Sequence, residues 1–292
     1  MVGNNKKVGI LAHIILFVLS LCVIVPFVLL ISSSMTSEQS LIRDGYSFLP
    51  KELDFTAYKL LLGGSSSVLN GYAVSFAVTF VGTLCSLIIT TLFAYPLSRK
   101  DLPARNFFAF FLFFTMLFNG GLVPSYMMWT QTFHIKNTFW ALIVPNLMMS
   151  GFNVIMMRTY FTTNIPVEVI EAAKIDGSSE LKLLLKVVLP MSLPIIATVG
   201  LLVGLGYWND WLNGLYYVND DRLYSIQVLL NKMLLNAEAM KKAASAGVME
   251  GPLPSTGMKM AVAVLGALPV LVMYPFFQKY FVKGITVGAV KG

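Results

Sequence analysis

The chain has 292 residues, of which 57% are hydrophobic and only 12% charged, with a mean hydropathy of +0.74 and a formal net charge of +7. Soluble domains carry about 25% charged residues, so a soluble globule is excluded and spans are the useful unit of description. The basic balance shows no clustered stripe of the kind that binds nucleic acid. The remaining readings are a membrane-surface patch or the lysines and arginines flanking spans.

Runs of about 20 apolar residues predict an all-α integral membrane protein with six spans in one transmembrane domain over residues 1–292: 8–31, 68–97, 106–129, 138–157, 191–216 and 258–281. The first run follows Lys6 and Lys7 but exceeds the 7–15 residue core of a signal peptide, and Ile31-Ser32-Ser33-Ser34-Met35 is a poor cleavage site, so an uncleaved anchor is expected. Cys22 and Cys85 both fall in apolar runs, far apart. They read as buried structural thiols, with no disulfide or metal pattern.

Three hydrophilic stretches join the spans. Residues 32–67 contain a short amphipathic helix at 54–62 ended by Gly63-Gly64; residues 161–190 form the second stretch; residues 218–257 combine a helix at 226–242 with the turn-rich 251–257. With the N-terminus cytoplasmic, the inside segments hold twelve positive and five negative charges, and the outside segments nine of each. Arg99, Lys100 and Arg105, in the short loop between spans two and three, follow the positive-inside rule most directly. Both termini are therefore expected in the cytoplasm, 161–190 as a cytoplasmic loop, and 32–67 and 218–257 as extracellular loops.

The cytoplasmic loop carries the most specific pattern. Pro166 sits at an expected first helical position with Glu168 close behind, and Ile170, Ala173 and Gly177 share a face at helical spacing. That face is small enough for another surface to approach closely, and Gly177 can end the helix. A second helix is expected over 179–188, leading into Leu189-Pro190 at the membrane. A solvated amphipathic loop is the alternative.

The order Glu171-Ala172-Ala173, three residues, Gly177, nine residues, then Val187-Val188-Leu189-Pro190 resembles the EAA loop of ABC importer permeases, with Val187 in place of an isoleucine. Arg158, Phe161, Ile165-Pro166, Glu168, Ile175-Asp176 and Glu180 are similar to the same stretch in carbohydrate permeases of the maltose-importer class. Asn119-Gly120-Gly121-Leu122-Val123-Pro124 and the segments 275–284 and 288–292 resemble the subgroup that imports complex and acidic oligosaccharides.

The resemblance implies the type I importer permease fold, and a coupling helix that docks on a separate ATPase. Glu171, Ala172, Ala173 and Gly177 would form the docking face, flanked by Glu168 and Asp176, with Leu189 and Pro190 anchoring the loop to span five. It also implies a second homologous permease as heterodimer partner, two ATPase subunits, and an extracellular lipoprotein or periplasmic sugar-binding protein. A bacterial cell membrane location and an oligosaccharide substrate follow from the same likeness. The chain has no Gly-x4-Gly-Lys-Ser/Thr loop to seat phosphates, so no cofactor is expected here and ATP and magnesium would be bound by the partner ATPase.

Polar groups in spans are costly and mark paths or partners. Asn119, Asn146, Asn153, Trp208, Asn209, Asp210 and Trp211 are the candidates for the solute path or its gate, because aromatic faces beside amides and carboxylates suit sugars. Interhelical hydrogen bonding for the asparagines and an interfacial belt for the tryptophans are the alternatives. Gly200 and Gly204 are expected to permit close helix approach, and Pro26, Pro96, Pro145 and Pro269 to kink spans. Glu250, Gly251, Pro252, Leu253 and Pro254 are the candidates for contact with the binding protein. A polytopic enzyme would need a convergent reactive set, for which His, Cys and intramembrane acids are too scarce; a channel or ATP-independent carrier would not need a coupling loop.

Overall fold

The computed structural model describes residues 6–63, 66–245 and 256–289. Glu250 to Pro254, the proposed binding-protein contacts, and the last three residues of the tail lie outside them. The described residues form helices α1 (Lys6–Ser34), α2 (Glu38–Asp44), α3 (Thr56–Gly63), α4 (Ser66–Ser98), α5 (Arg105–Leu117), α6 (Leu122–Met127) and α7 (Gly151–Asn164). After these come α8 (Val167–Ile175), α9 (Glu180–Leu183), α10 (Leu189–Met191), α11 (Leu193–Asn209), α12 (Leu212–Tyr217), α13 (Ile226–Ser245) and α14 (Thr256–Ala289). The one extended pairing among the described residues is a single antiparallel bridge between Thr36 and Leu53.

Three of these helices contain stretches long and apolar enough to cross a membrane: Val8–Ser34, Val68–Ser98 and Thr256–Met273. Two bent pairs, Arg105–Leu117 with Leu122–Thr132 and Glu180–Met191 with Leu193–Asn209, turn by 111° and 84° and bring the number to five if each pair is one crossing. The expected span at 106–129 is thus broken at Asn119-Gly120-Gly121. Gly121 takes a positive φ of 85°, and Asn119 Oδ1 accepts its backbone N–H at 2.8 Å, an Asx turn that competes with helix.

The expected span at 138–157 differs most. Residues 139–142 form a 3-10 turn, and helix resumes only at Gly151. Pro145 cannot continue a helical ladder, and Asn146 adopts a left-handed φ of 64°. Irregular backbone at membrane depth is tolerated where protein satisfies its polar groups. Tyr207 Oη donates to the Ile143 carbonyl at 3.0 Å, and Asn213 Nδ2 donates to the Pro145 carbonyl at 2.9 Å. Pro26, Pro96 and Pro269, in contrast, fall within continuous helices.

The chain divides into two compact units, residues 1–68 with 230–269, and residues 69–229 with 270–292. In the first, Ser37 caps α2, and Glu52 accepts from Ser37 Oγ at 2.9 Å and Ser40 Oγ at 3.1 Å. Asp54 Oδ1 accepts from the Thr56 amide at 2.8 Å and opens α3, which buries Ala57 and Leu61 one turn apart. Helix α3 is the expected amphipathic segment. Glu38 accepts from the Thr256 and Gly257 amides at 3.0 and 2.9 Å, capping α14 with a carboxylate where the helix dipole favours one. Cys22 lies on the exposed surface of α1, contrary to the expectation of a buried thiol, and Cys85 is half-buried.

The second unit is built around α4. Gly82, Ser86, Thr90 and Ala94 recur every fourth residue along one buried ridge, and small side chains of this kind let membrane helices approach closely. Gly82 is required to be glycine, since a Cβ there would lie 2.6 Å from the Tyr207 ring. Gly204 faces Thr83, with 3.4 Å available to a Cβ, in line with the close approach expected of the Gly200/Gly204 pair. The opposite faces are apolar and exposed, as in the Phe107, Phe110, Phe111 and Phe113 series of α5, which suits a lipid surround.

Candidate functional site

Helix α8 starts one residue later than expected. Pro166 is the N-cap in extended conformation (φ −60°, ψ 137°) and offers no side-chain acceptor to the first amides of the helix. Glu168 lies in the first turn, favourable to the helix dipole. The C-terminus closes as a Schellman motif: Ser178 N–H donates to the Ala173 carbonyl and Gly177 N–H to the Lys174 carbonyl, both at 3.0 Å. Gly177 supplies the left-handed residue (φ 72°) that this closure needs.

The helix presents two faces. Ile170 and Ala173 turn inward and pack on the core of the second unit. Glu168, Val169, Glu171, Ala172, Ile175 and Asp176 are exposed, and Ile175 retains 86% of its surface. Ile170 and Ala173, expected to share an approachable face with Gly177, serve this chain's own core instead. Of the candidate docking residues, Glu168, Glu171, Ala172, Asp176 and Gly177 lie on the free surface and Ala173 does not.

Charged groups gather at the C-terminal end of α8. Lys174 Nζ lies 3.0 Å from Asp101 Oδ2 and 3.2 Å from Glu180 Oε1. Arg99 grips both oxygens of Asp101, at 3.2 and 3.1 Å, and Tyr95 Oη donates to Glu180 Oε2 at 2.5 Å. Hydrogen bonds from Arg99 and Lys174 hold the Asp101 carboxyl well below the usual carboxylate range, and those from Tyr95 and Lys174 lower that of Glu180. Asp101 and then Glu180 push the Lys174 ammonium up. A cleft of about 480 Å³ lies beneath the helix, bordered by Arg99, Asp101, Phe161, Ile170, Glu171 and Lys174. None of these long-range pairings has a local sequence signal.

Ser179 caps α9, and the expected second helix of the loop follows with a wider, π-helical turn over Leu184–Val188. That turn precedes Pro190, whose ring would otherwise press on the carbonyl four residues before it. Leu189 packs on the core while Pro190 is exposed.

The solute-path candidates are not brought together. Asn119 serves the Asx turn on the exposed surface, Asn146 is exposed in its left-handed turn, and Asn153 is buried in α7. Trp208 is 2% exposed and packs on Phe76 and Tyr72, with ring centroids 5.2 and 6.4 Å away. It also borders an apolar cavity of about 340 Å³ with Thr79, Thr83, Gly200, Gly204 and Met273. Asn209 Nδ2 returns to the Leu205 carbonyl at 2.9 Å. Asp210 Oδ1 accepts from the Leu212 and Asn213 amides at 3.2 and 3.3 Å, capping α12 where the expected span at 191–216 breaks. Trp211 is 39% exposed beside it. Tyr207 and Asn213 fall in the same stretch as the aromatic and amide candidates, but sequence reasoning missed their partners, which lie more than sixty residues away.

Residues 80–287, which take in α8, its charged partners and the helices from α5 to α13, match the family described as binding-protein-dependent transport system inner membrane component. The chain belongs to this family. It is therefore a membrane-embedded transport permease. Among its relatives in Bacillus subtilis strain 168, the polygalacturonan/rhamnogalacturonan transport system permease protein YtcP is 35% identical over 99% of this chain and all of its own length. Protein LplC of the same organism is 36% identical over 92% of this permease and 90% of its own length. A chain in the crystal structure of a bacterial ABC transporter involved in import of the acidic polysaccharide alginate superposes with a TM-score of 0.80. It shares 29% identity, over 96% of this chain and 99% of that one.

Proposed function

We propose that this permease carries an acidic oligosaccharide across a bacterial cytoplasmic membrane, as one half of a heterodimer with a second, homologous permease. Two ATPase subunits on the cytoplasmic side bind ATP and magnesium, and an extracellular lipoprotein or periplasmic binding protein delivers the sugar. Six crossings place both termini in the cytoplasm; the irregular 138–150 stretch and α7 together make the fourth. The division of charge, twelve positive to five negative on the cytoplasmic side, supports this orientation.

Helix α8 is the coupling element in this reading. The supporting observation is its free face, with Glu168, Glu171, Ala172 and Asp176 beside the exposed Ile175. A surface apolar at its centre and charged at its rim is the usual composition of a protein contact. The acidic nature of the sugar rests on two full-length likenesses, to a permease named for polygalacturonan and rhamnogalacturonan and to an alginate importer. Asp210 and Trp211, at the break between α11 and α12, are the residues assigned to the solute path or its gate. The test is uptake of labelled galacturonate oligomers by cells carrying the transporter, against neutral malto-oligosaccharides of equal length. Uptake confined to the galacturonates is expected, and uptake confined to the neutral series would overturn the assignment.

A further inference from the structure

Helix α8 has nine residues, too short to be stable alone, and its apolar grip on the chain consists of Ile170 and Ala173. A helix held along one narrow line can rock about that line when pushed. A side-chain tether outside that line is Lys174, next to Ala173. Through Asp101 the lysine reaches Arg99, the first residue beyond α4, whose N–H donates to the Pro96 carbonyl at 3.0 Å. Through Glu180 it reaches Tyr95, in the last turn of α4 and 6% exposed. Both anions that hold the ammonium are thus held in turn by the same end of the same membrane helix.

We propose that Lys174 is a positioning residue that locks α8 to the cytoplasmic end of α4, so that displacement of α8 moves α4 as one body. The inference rests on the reading of α8 as the ATPase-docking helix for its purpose, but not for its geometry. Single exposed ion pairs contribute little; here one ammonium joins two carboxylates, each fixed from its far side by Arg99 or by the Tyr95 hydroxyl, and the double attachment resists rotation about the Ile170–Ala173 line. The route from α8 into the membrane runs through α4, whose buried ridge meets α11 where Gly82 lies against the Tyr207 ring.

The test uses the full chain in native membranes, with Cys22 and Cys85 replaced by serine and nitroxide labels at Phe80→Cys on α4 and Val167→Cys on α8. Pulsed dipolar spectroscopy then reads the distance between the two helices. A single narrow distance is expected, its loss with Lys174→Met, and its restoration with Lys174→Arg. A narrow distance that persists in Lys174→Met overturns the proposal, as does a broad one in the parent chain. If Lys174→Met does not reach the membrane, the double variant Asp101→Asn, Glu180→Gln is held to the same criteria. Co-purification of the ATPase with the labelled parent is scored separately: its absence defeats the docking reading while the distance still decides the lock. Loss of the ATPase in Lys174→Met with the narrow distance intact would place the lysine in the docking contact and overturn the proposal.

Discussion

The Tyr207 hydroxyl donates to the Ile143 carbonyl oxygen at 3.0 Å, with its ring seated over Gly82 where a Cβ would come within 2.6 Å. Three elements, α4, α11 and the irregular 138–150 stretch, meet at this one side chain. Tyr207→Phe keeps the ring and leaves a buried carbonyl without its partner, a loss of about 1–3 kcal/mol. Gly82→Ala displaces the ring itself, so it should cost more. Thermal midpoints of the detergent-purified protein check the order; Gly82→Ala as stable as Tyr207→Phe would be inconsistent with a rigid seat.

The asparagines separate by what they hold. Asn213 is 4% exposed and satisfies the Pro145 carbonyl, whereas Asn119 sits on the surface in a local turn. Asn213→Leu is expected to lower stability by about 1–3 kcal/mol and Asn119→Ala by well under about 1 kcal/mol. The same midpoint measurement reads both, and equal losses would refute the distinction.

The two residue pairs also mark the limit of what the sequence states. Hydropathy places the long apolar helices because it reports composition over a window, and the EAA-like spacing places α8 because helix, cap and stop are all local. The break at 138–150 is hidden: Pro145-Asn146 reads as a kink, and whether a proline kinks or ends a membrane helix depends on donors elsewhere that can serve the freed carbonyls. Those donors, Tyr207 and Asn213, lie 64 and 68 residues downstream. Helical spacing likewise gives the face shared by Ile170 and Ala173 but not its direction, which is fixed by the core it meets. The lock at Lys174 is invisible for the same reason, since its Asp101 partner is 73 residues away.

Gly177 allows backbone and surface roles to be separated. Its φ is 72° and nothing lies within 4 Å of where a Cβ would be, so this chain has room for a side chain but the backbone disfavours one. Gly177→Val should cost at least about 1–2 kcal/mol from the left-handed conformation alone, while Gly177→Asn tolerates that conformation and adds bulk. If the ATPase docks here, Asn at 177 preserves the thermal midpoint yet reduces co-purification of the ATPase. Unchanged co-purification would remove Gly177 from the docking face.

The charge network sets a pH window. The Asp101 and Glu180 carboxyls are lowered, so their contribution is present above their unfolded values of about 4 and is lost as pH falls through the folded ones. The Lys174 ammonium is raised, so its contribution is present below about pH 10.4 and is lost as pH rises through its folded value. The distance between labels at residues 80 and 167 should hold its width from about pH 5 to about pH 9. A transition near pH 6.5, the range of an ordinary histidine, would show that another group controls α8.

Helix α14 begins at a defined cap. Glu38 accepts from the Thr256 and Gly257 amides, so a deletion that included these two residues would uncap α14 and confound loop function with helix stability. Removing only residues 250–255 leaves both amides, and the carboxylate that caps them, in place. The shortened chain is expected to reach the membrane and co-purify with the ATPase, because α8, the element proposed to dock it, lies in a different unit of the chain. Uptake of galacturonate oligomers should be abolished if Glu250 to Pro254 contact the binding protein. Glu38→Ala gives the opposite pattern, a lowered thermal midpoint by about 1 kcal/mol for a lost cap with residual uptake. Full uptake by the deletion would sink the contact, and full stability of Glu38→Ala would sink the cap.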